Sequence, residues 1–520
     1  RLVSSYNDSD GKVYITSTQG ISLIDIDNKT TELIFSFNQC GVNRQYLKGL
    51  DIVDFSDDSF LLCGQYNSMD MFTSQFVNNY AVVEFKKAKK NPHAGKKIIE
   101  LYAPDGDVDT TISDAIIRFN EESKKYYIEL SNRYNKQAYI NYSGIKSLDD
   151  YDSALLRADA KMGNELAMDI MNGVGPDILM NTSSLGQLNN DNYLVDLSPY
   201  LQTLDSDKYF TNIINGAKSN GKLYQLPISY TIEGIQTSPE YAGKTKIGFT
   251  TDEYKKFLSE TLNGKDVIES GQALYFAKLF NEMSEEFIVD GKVDLNNRKF
   301  VDIAEYVNDS VQRNSLAWDI IDDEEVEYTD FTTKGNKTAC YCNCPGISGY
   351  LVKRAQIKDG IAILGIPSSD GRGPAFGTGV SVAVSKNAVN IDACIEFVRI
   401  LLSDEIQDKL VMSDKFVINR ESLRNGCRAA VDYFNTKEGS QNMFDYVAGT
   451  YVTSRTSFTT EDIDNLEKII LSCSKSNASD AAITTIILEE MPAYFQGQKE
   501  LTKVVIVLQD RMQKVLDERV

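Results

Sequence analysis

Residues 98–132 read IIELYAPDGDVDTTISDAIIRFNEESKKYYIELSN, and this stretch decides the class of fold. Ile98 to Tyr102 is a short apolar run typical of a buried strand, and Tyr127 to Asn132 is a second run of the same kind. Between the two, four apolar residues repeat at the spacing of one helical face: Ile112, Ala115, Ile116 and Phe119. The stretch therefore predicts a strand, an amphipathic helix and a second strand.

The chain continues in the same order up to residue 180. Gly173 suits the C-terminal end of a long helix, and Ile178 to Met180 is typical of a third, buried strand. The apolar residues of that helix lie on one side: Ala154, Leu155, Ala158, Met162 and Leu166. Strands that alternate with helices form a parallel sheet with helical crossovers, so the sequence predicts an α/β fold from about residue 97 onward.

After Pro227 the pattern becomes mostly helical, and two short motifs mark element ends. Thr250-Thr251-Asp252-Glu253 is a capping box that opens a helix. Asp290-Gly291 lies between two apolar runs and predicts a tight turn.

Composition and charge limit the classes of partner. The chain has 520 residues, enough for about three to four domains at roughly 150 residues each. It contains 54 Lys and Arg against 75 Asp and Glu, which gives a formal net charge of −21. A nucleic-acid partner is not expected, because affinity for phosphates needs an extended basic surface. The acidic excess also opposes binding to an anionic membrane surface and favours a neutral ligand.

Few residues of the chain are suited to nucleophilic or metal chemistry. His93 is the one histidine, so a Ser-His-Asp arrangement or a His-ligated metal would depend on this residue alone. Cys340, Cys342 and Cys344 alternate on one face of a predicted strand. Zinc sites usually contain Cys-x-x-Cys pairs, so packing, or an occasional disulfide, is favoured over a metal. No cofactor is expected.

Two other motifs suggest enzyme chemistry without establishing it. In Gly371 to Gly377 the third glycine comes one place late for a dinucleotide loop and a strand follows, so we interpret it as a flexible loop at a domain boundary. Asp105 with Asp107 is one of many carboxylate pairs. A glycosidase needs two carboxyls at a defined separation, which sequence does not show.

Residues 1–96 differ from the rest of the chain. They contain several short apolar or alternating runs separated by turn residues, which predict an antiparallel sheet, followed by a lysine-rich linker from Lys86 to Lys97. This segment is either a small sheet packed on the main body or the remnant of a propeller-like domain. The sequence begins at Arg1, so a processed or truncated start is expected, and no run of about 18 apolar residues predicts a membrane span.

Several short motifs between residues 97 and 520 occur in an order that resembles the extracellular solute-binding proteins of ABC transporters, in particular the carbohydrate-binding, maltose-binding-protein-like group. Each motif is short, and their joint order and spacing carry the resemblance. They are Gly175 to Leu179, Leu194 to Leu201, Gly221 to Pro227, Ile363 to Gly371, Val380 to Asn387, Ala393 to Glu405 and Phe416 to Arg420.

The resemblance implies an α/β, two-lobed periplasmic-binding-protein-like fold of type II with a ligand cleft between the lobes. Lobe one would comprise residues 97–227 and 367–402, and lobe two residues 228–366 and 403–520, with hinges near Pro227 and Pro367. Ligand is expected beyond the carboxyl ends of the strands. Loops at those ends supply the candidate ligand-binding residues, with Trp318 as a weaker addition: Asp105, Asp107, Asn181, Thr182, Tyr230, Glu233, Trp318 and Phe376.

The function implied by the resemblance is non-catalytic capture of a carbohydrate or similar polar solute and its delivery to an ABC permease. The protein would be a monomer outside a Gram-positive cell, anchored to the membrane by a lipid. The single Trp318 departs from the sugar-binding members, which usually line the cleft with several aromatic rings that include Trp, and the N-terminal β segment lies outside the family pattern. Two alternatives stay open: a carbohydrate-active enzyme with a carboxylate pair, and a surface sensor or adhesion module.

Overall fold

The computed structural model describes the chain except for residues 1–3, 8–10, 57, 70–75, 132, 203, 269, 312–337, 358–359, 442, 446–449, 453–456 and 520.

The N-terminal segment forms two small antiparallel sheets. The first consists of β1 Ser4–Asn7, β2 Val13–Thr16, β3 Gly20–Asp25 and β4 Thr30–Ser36. The short helix α1 Arg44–Leu47 precedes the second, which consists of β5 Leu50–Ser56, β6 Ser59–Met69 and β7 Phe76–Lys86. Aromatic rings of the two sheets pack together, with centroids 4.5 Å apart for Tyr14 and Phe55 and 5.0 Å apart for Phe35 and Phe85. The predicted all-β segment is confirmed.

Polar contacts hold this β segment against the α/β part of the chain. Asn38 Nδ2 donates to the Leu130 carbonyl over 3.1 Å, and Lys48 forms an ion pair with Asp107. The hydroxyl of Tyr127 donates to the carbonyl of Asn38. The segment therefore contacts the edge of the α/β sheet directly.

The predicted βαβαβ order is present. Its elements are β8 Lys97–Tyr102, α2 Thr110–Glu122, β9 Tyr126–Leu130, α3 Leu148–Met171 and β10 Ile178–Met180. Strand β8 lies between β9 and β10 and is parallel to both. Asp109 caps α2 by accepting a hydrogen bond from the Ile112 amide over 2.9 Å.

The rest of the chain is a mixture of helices and strands. Up to residue 384 they are α4 Thr211–Gly216, β11 Leu226–Thr237, β12 Gly248–Thr250, α5 Thr251–Thr261, α6 Gln272–Glu282, β13 Ile288–Val289, β14 Lys292–Val293, α7 Arg298–Ser310, β15 Ala339–Cys344, α8 Ile347–Gln356, β16 Ala362–Ser368 and β17 Ala375–Val384. Beyond it they are α9 Ile391–Leu401, α10 Asp404–Val411, β18 Phe416–Val417, α11 Arg420–Phe434, β19 Met443–Asp445, β20 Thr450–Val452, α12 Thr460–Ser472, α13 Ala481–Phe495 and α14 Leu501–Asp517.

One nine-stranded sheet connects the two lobes. Its order is β12-β16-β11-β17-β10-β8-β9, and β15 and β18 also pair with β11. The first part of β11, Leu226 to Glu233, pairs with β17, and its last part, Ile232 to Thr237, pairs with β15. Strand β11 therefore passes from one lobe into the other.

Two large apolar cores lie on either side of this crossing. The first core surrounds β8 and β10 and includes Ile99 and Phe119, and the second surrounds α6 and includes Phe276 and Phe300. Helix α3 packs on β8 and β10 through a smaller cluster that contains Met162 and is therefore attached to the lobe of the first core.

Helices α10, α11 and α12 also contribute to the first core, through Leu410, Leu423 and Leu466. The sequence assigned residues 403–520 to lobe two, and the lobe limits stay a prediction.

A third chain segment, residues 473–480, crosses between the lobes beside β17. The Phe376 amide donates to the Lys475 carbonyl over 3.0 Å, and the Asn477 amide donates to the Phe376 carbonyl over 2.8 Å. Of the predicted hinge residues, Pro227 lies in β11, where it pairs with Ser381 of β17, and Pro367 lies in β16. Their role in hinge motion stays a prediction.

Candidate ligand-binding cavity

A cavity of about 350 Å³ lies between α3 and α6, at the point where β11 crosses from lobe to lobe. This volume is in the range of small-molecule sites. Its walls come from the two lobes, since α3 packs with the first lobe and α6 belongs to the second core. The lining residues are Lys136, Asp152, Leu155, Leu156, Asp159, Glu233, Leu274, Ala277, Lys278, Asn281, Glu282, Tyr341, Ile366, Ala375, Asn477, Ser479 and Thr484.

Glu233, on β11, is fixed by side chains from three other elements. One carboxylate oxygen accepts a hydrogen bond from the Tyr341 hydroxyl, and the other accepts one from Asn477 Nδ2. Lys278 Nζ lies 4.0 Å from Glu233 Oε1 and 4.8 Å from the centre of the Tyr341 ring. These contacts connect the second lobe and the crossing segment at a single carboxylate of β11.

Glu282 is the last residue of α6 and is 6% exposed. Its carboxyl group has no hydrogen bond or ion pair with any of the described residues. Burial raises the pKa of this carboxyl to about 7, although Lys475 and Arg372 oppose the rise. Those two cations bind the Glu282 carbonyl oxygen instead, over 3.0 Å from Lys475 Nζ and 2.6 Å from Arg372 Nη1.

Acidic side chains outside the cavity neutralise these two cations. Arg372 forms ion pairs with Glu285 over 2.5 Å, with Glu286 over 3.2 Å and with Asp370 over 3.0 Å. Lys475 also pairs with Glu285. The cluster fixes the loop between β16 and β17 to the end of α6.

The wall formed by α3 carries two carboxylates. Asp159 forms an ion pair with Lys136 over 2.7 Å. Asp152 makes no hydrogen bond or ion pair within the part of the chain that the structure describes. Burial raises its pKa, and Lys278 acts in the opposite direction. Near the N-terminal end of α3, Asp149 accepts a hydrogen bond from the Gly271 amide over 3.1 Å, which links the two walls.

Of the candidates predicted from sequence, Glu233 lines the cavity. Thr182, Tyr230 and Phe376 are each at most 1% exposed. Thr182 Oγ1 donates to Gln225 Oε1 over 3.1 Å, and the Tyr230 ring packs against Phe376 with centroids 6.4 Å apart. These three side chains belong to the interior of the first lobe and do not line the cavity.

The other candidates lie elsewhere. Asn181 adopts a left-handed conformation with φ of 55°, and its Oδ1 accepts a hydrogen bond from the Ser381 amide over 3.0 Å. Asp107 contacts Lys48 of the N-terminal segment. The backbone of Asp105 is in a 3-10 turn, but its side chain is outside the description, as is the whole of Trp318.

Sequence reasoning missed the other lining residues, among them Asp152, Lys278, Glu282, Tyr341 and Asn477. One signal was available. In the α6 sequence QALYFAKLFNE the charged residues are Lys278 and Glu282, four positions apart and so on one face of the helix. Two charged side chains on one face of an otherwise apolar helix indicate that this face borders a polar space inside the protein.

The cysteines whose side chains are described form no disulfide. The seven whose side chains are described are free thiols: Cys40, Cys63, Cys340, Cys344, Cys394, Cys427 and Cys473. Among the described residues, no group of three or more His, Cys, Asp or Glu side chains is arranged to hold a metal ion.

Residues 157–442 match the family described as bacterial extracellular solute-binding protein. The chain belongs to this family. The match covers β11, α6 and the part of α3 from residue 157 onward, and with them most of the described lining residues. None of the helices in the described ranges is both long and apolar enough to cross a membrane. A search of curated protein sequences gives no match.

A solved structure confirms the two-lobed fold. The sugar-binding protein MalE from Xanthomonas citri is 10% identical, with 81% of this chain and 98% of that chain covered and a TM-score of 0.50. A periplasmic oligogalacturonide-binding protein from Yersinia enterocolitica is 12% identical, with 81% and 99% covered and a TM-score of 0.47. At such identities the likeness is one of fold.

Proposed function

We propose that this solute-binding protein captures a carbohydrate or similar polar solute in the cavity between α3 and α6 and passes it unchanged to an ABC permease. The observation that carries the proposal is the arrangement around Glu233, where polar groups of the second lobe and of the crossing segment converge in a cavity whose opposite wall is α3 of the first lobe. We also propose that the protein acts as a lipid-anchored monomer at the surface of a Gram-positive cell.

The lining of the cavity supports a polyhydroxylated ligand. Carboxylates accept hydrogen bonds from hydroxyl groups, and side-chain amides both donate and accept them. In this cavity such groups are mixed with apolar side chains such as Leu155 and Leu274. Tyr341 is the one aromatic residue among the described lining residues, and an aromatic ring of this kind packs against the apolar face of a sugar. The sugar-binding role of MalE, whose fold this chain shares, agrees with this choice.

The apolar cores support one revision of the lobe limits. We propose that α10, α11 and α12 move with the first lobe, because their apolar side chains lie in its core, and that α13 and α14 move with the second. The segment 473–480 would then be the third hinge, next to β11 and β17.

Calorimetric titration with mono- and oligosaccharides, polyols and amino acids tests the proposal, together with scattering on the same samples. A ligand that contacts both walls favours the closed form, so binding should be accompanied by compaction. Glu233→Gln should weaken binding about tenfold or more, since hydrogen bonds to a charged group are the stronger ones. Asp252→Asn, an exposed carboxylate on α5, is the matched control.

Two outcomes would refute the proposal. One is the absence of binding by every carbohydrate and polyol in the panel. The other is tight binding that causes no compaction and is unaffected by Glu233→Gln, since such a ligand would bind outside the cavity. The anchor is tested separately, by asking whether the natural protein partitions into the detergent phase.

A further inference from the structure

The cavity carries more acidic than basic groups. Among the described lining residues are four carboxylates and two lysines: Asp152, Asp159, Glu233, Glu282, Lys136 and Lys278. With all six ionised, the formal charge of the lining is −2. An uncharged ligand would leave this excess without a compensating charge.

Both lysines already have acidic partners. Lys136 pairs with Asp159 over 2.7 Å, and Lys278 lies 4.0 Å from Glu233. Glu233 is further satisfied by Tyr341 and Asn477. The two lining carboxyls that have no lysine partner are therefore Asp152 and Glu282.

Of these two carboxyls, Glu282 has the surroundings that are less favourable to a negative charge. It is 6% exposed, and a buried carboxylate without a partner is strongly unfavourable. It is also the last residue of α6, where the helix dipole repels an anion. The nearby cations Arg372 and Lys475 bind its carbonyl oxygen and the carboxylates of Glu285 and Asp370. Within the described residues, the fold provides no counter-ion that binds the Glu282 carboxylate directly.

We infer that the ligand provides this counter-ion, and that the cavity takes a carbohydrate bearing an ammonium group, that is, an amino sugar. The inference rests on the proposed function. An ammonium group donates three hydrogen bonds and carries the charge that Glu282 lacks. The hydroxyls of the same ligand would meet Glu233, Asn477 and Asn281. An acidic sugar would be repelled by the same excess charge.

Matched pairs of sugars separate this inference from carbohydrate binding in general. The probes are glucosamine, galactosamine and the β-1,4-linked disaccharide of glucosamine. Each is compared by calorimetry with its N-acetylated form and with the parent sugar that bears a hydroxyl in place of the amine. We expect at least one amine to bind ten times more tightly than both neutral partners, a difference of about 1.4 kcal/mol.

The variants Glu282→Gln and Asp152→Asn test the assignment of the charge. Each keeps the shape of the side chain and removes one negative charge. We expect Glu282→Gln to reduce the preference for the amine at least tenfold while leaving affinity for the neutral partner within threefold. Asp152→Asn should reduce the preference in the same direction. Asp252→Asn removes a charge from the exposed surface of the same lobe as Glu282 and should change neither affinity.

The outcomes distinguish two kinds of failure. Equal affinity for amines and neutral sugars, or a preference for amines that persists in Glu282→Gln, overturns the inference and leaves carbohydrate binding intact. Binding of spermidine without binding of any sugar overturns both this inference and the proposed carbohydrate. Binding of no sugar, polyol or amine in the panel overturns both as well.

Discussion

Glu282→Gln should change how the stability of the ligand-free protein depends on pH. The carboxyl of Glu282 has a pKa of about 7 in the folded protein, against 4.5 for an ordinary glutamate. Because the folded-state pKa is raised, folding binds a proton at intermediate pH, and stability falls as the pH rises from about 4.5 to about 7. At about 1.4 kcal/mol for each tenfold in proton affinity, the loss is about 3 kcal/mol at pH 8.

The variant lacks this loss, so the difference in unfolding free energy between the two proteins is the quantity to measure. Burying an amide at position 282 also changes the unfolding free energy of the variant, but this change is the same at every pH. It therefore cancels when the difference between the two proteins at pH 5 is subtracted from their difference at pH 8. Other buried acids, such as Asp414 with its pKa raised to about 6 by burial, contribute equally to both proteins. We expect the difference to shift by about 2.5 kcal/mol in favour of the variant, because about 1 kcal/mol of the loss is already present at pH 5.

The assay is urea or thermal unfolding of both proteins at closely spaced pH values between 4.5 and 8.5, without ligand. Asp252→Asn is the control and should run parallel to the wild type, because its carboxylate is exposed. Parallel curves for Glu282→Gln and the wild type would refute the reasoning. They would mean that Glu282 ionises as an ordinary surface glutamate does, so that its buried charge could not select a ligand.

Three further predictions concern the hinge, the N-terminal segment and the absence of catalysis. Gly373→Ala should lower the melting temperature and weaken ligand binding, because the new Cβ would lie 2.1 Å from the Ser472 carbonyl oxygen. The control is Gly41→Ala, whose Cβ would meet no atom within 4 Å and which should leave the thermal melt unchanged. Deleting residues 1–96 should change ligand affinity by no more than a few-fold in calorimetry, because the described cavity lining begins at Lys136. A loss of affinity of about a hundredfold would show that the segment completes the site. Oligosaccharides incubated with the protein should remain intact by chromatography, and cleavage abolished by Glu233→Gln would instead establish an enzyme.

Local sequence patterns predicted the elements correctly where a periodic or capping signal was present. The helix with Ile112 and Phe119 inward is α2, and both side chains are buried. The capping box at the start of α5 has both of its hydrogen bonds, from the Glu253 amide to Thr250 Oγ1 and from the Thr250 amide to Glu253 Oε2. Asp290 and Gly291 form the turn of the β13–β14 hairpin. These features depend on neighbours within a few residues, so the sequence contains them in full.

The side chains that face the cavity were harder to predict, because successive residues of a strand point to opposite faces. Tyr230 and Glu233 are three positions apart on β11, so one is in the core and the other lines the cavity. Phe376 pairs with Ile232 on the core side, while its neighbour Ala375 pairs with Glu233 and lines the cavity. If the predicted position is wrong by one residue, a side chain of the core is mistaken for one that lines the cavity.

The opposite walls of the cavity pose a different difficulty, since their residues come from distant parts of the chain. Asp152 belongs to α3 and Glu282 to α6, and no local pattern links the two helices. What brings them together is the continuous path of β11 through both halves of the sheet. Only the packed structure shows that both carboxylates line one cavity and that neither has a partner in the described part of the chain.

The same path through the sheet determines how a ligand couples to lobe movement. With the lobe limits proposed above, Asp152 belongs to the first lobe and Lys278 and Glu282 to the second, so a ligand would meet both walls only when they are close together. In the ligand-free closed form Asp152 and Glu282 would face each other's lobe without a counter-ion, and their repulsion would favour opening. An ammonium group removes that repulsion, so its contribution to affinity is larger in the closed form than in the open one. Such a difference between two conformations is what a ligand needs in order to drive closure. A neutral sugar of the same shape would therefore close the protein less completely, and scattering at saturating concentrations of the matched amine and hydroxyl sugars should show the smaller radius of gyration with the amine.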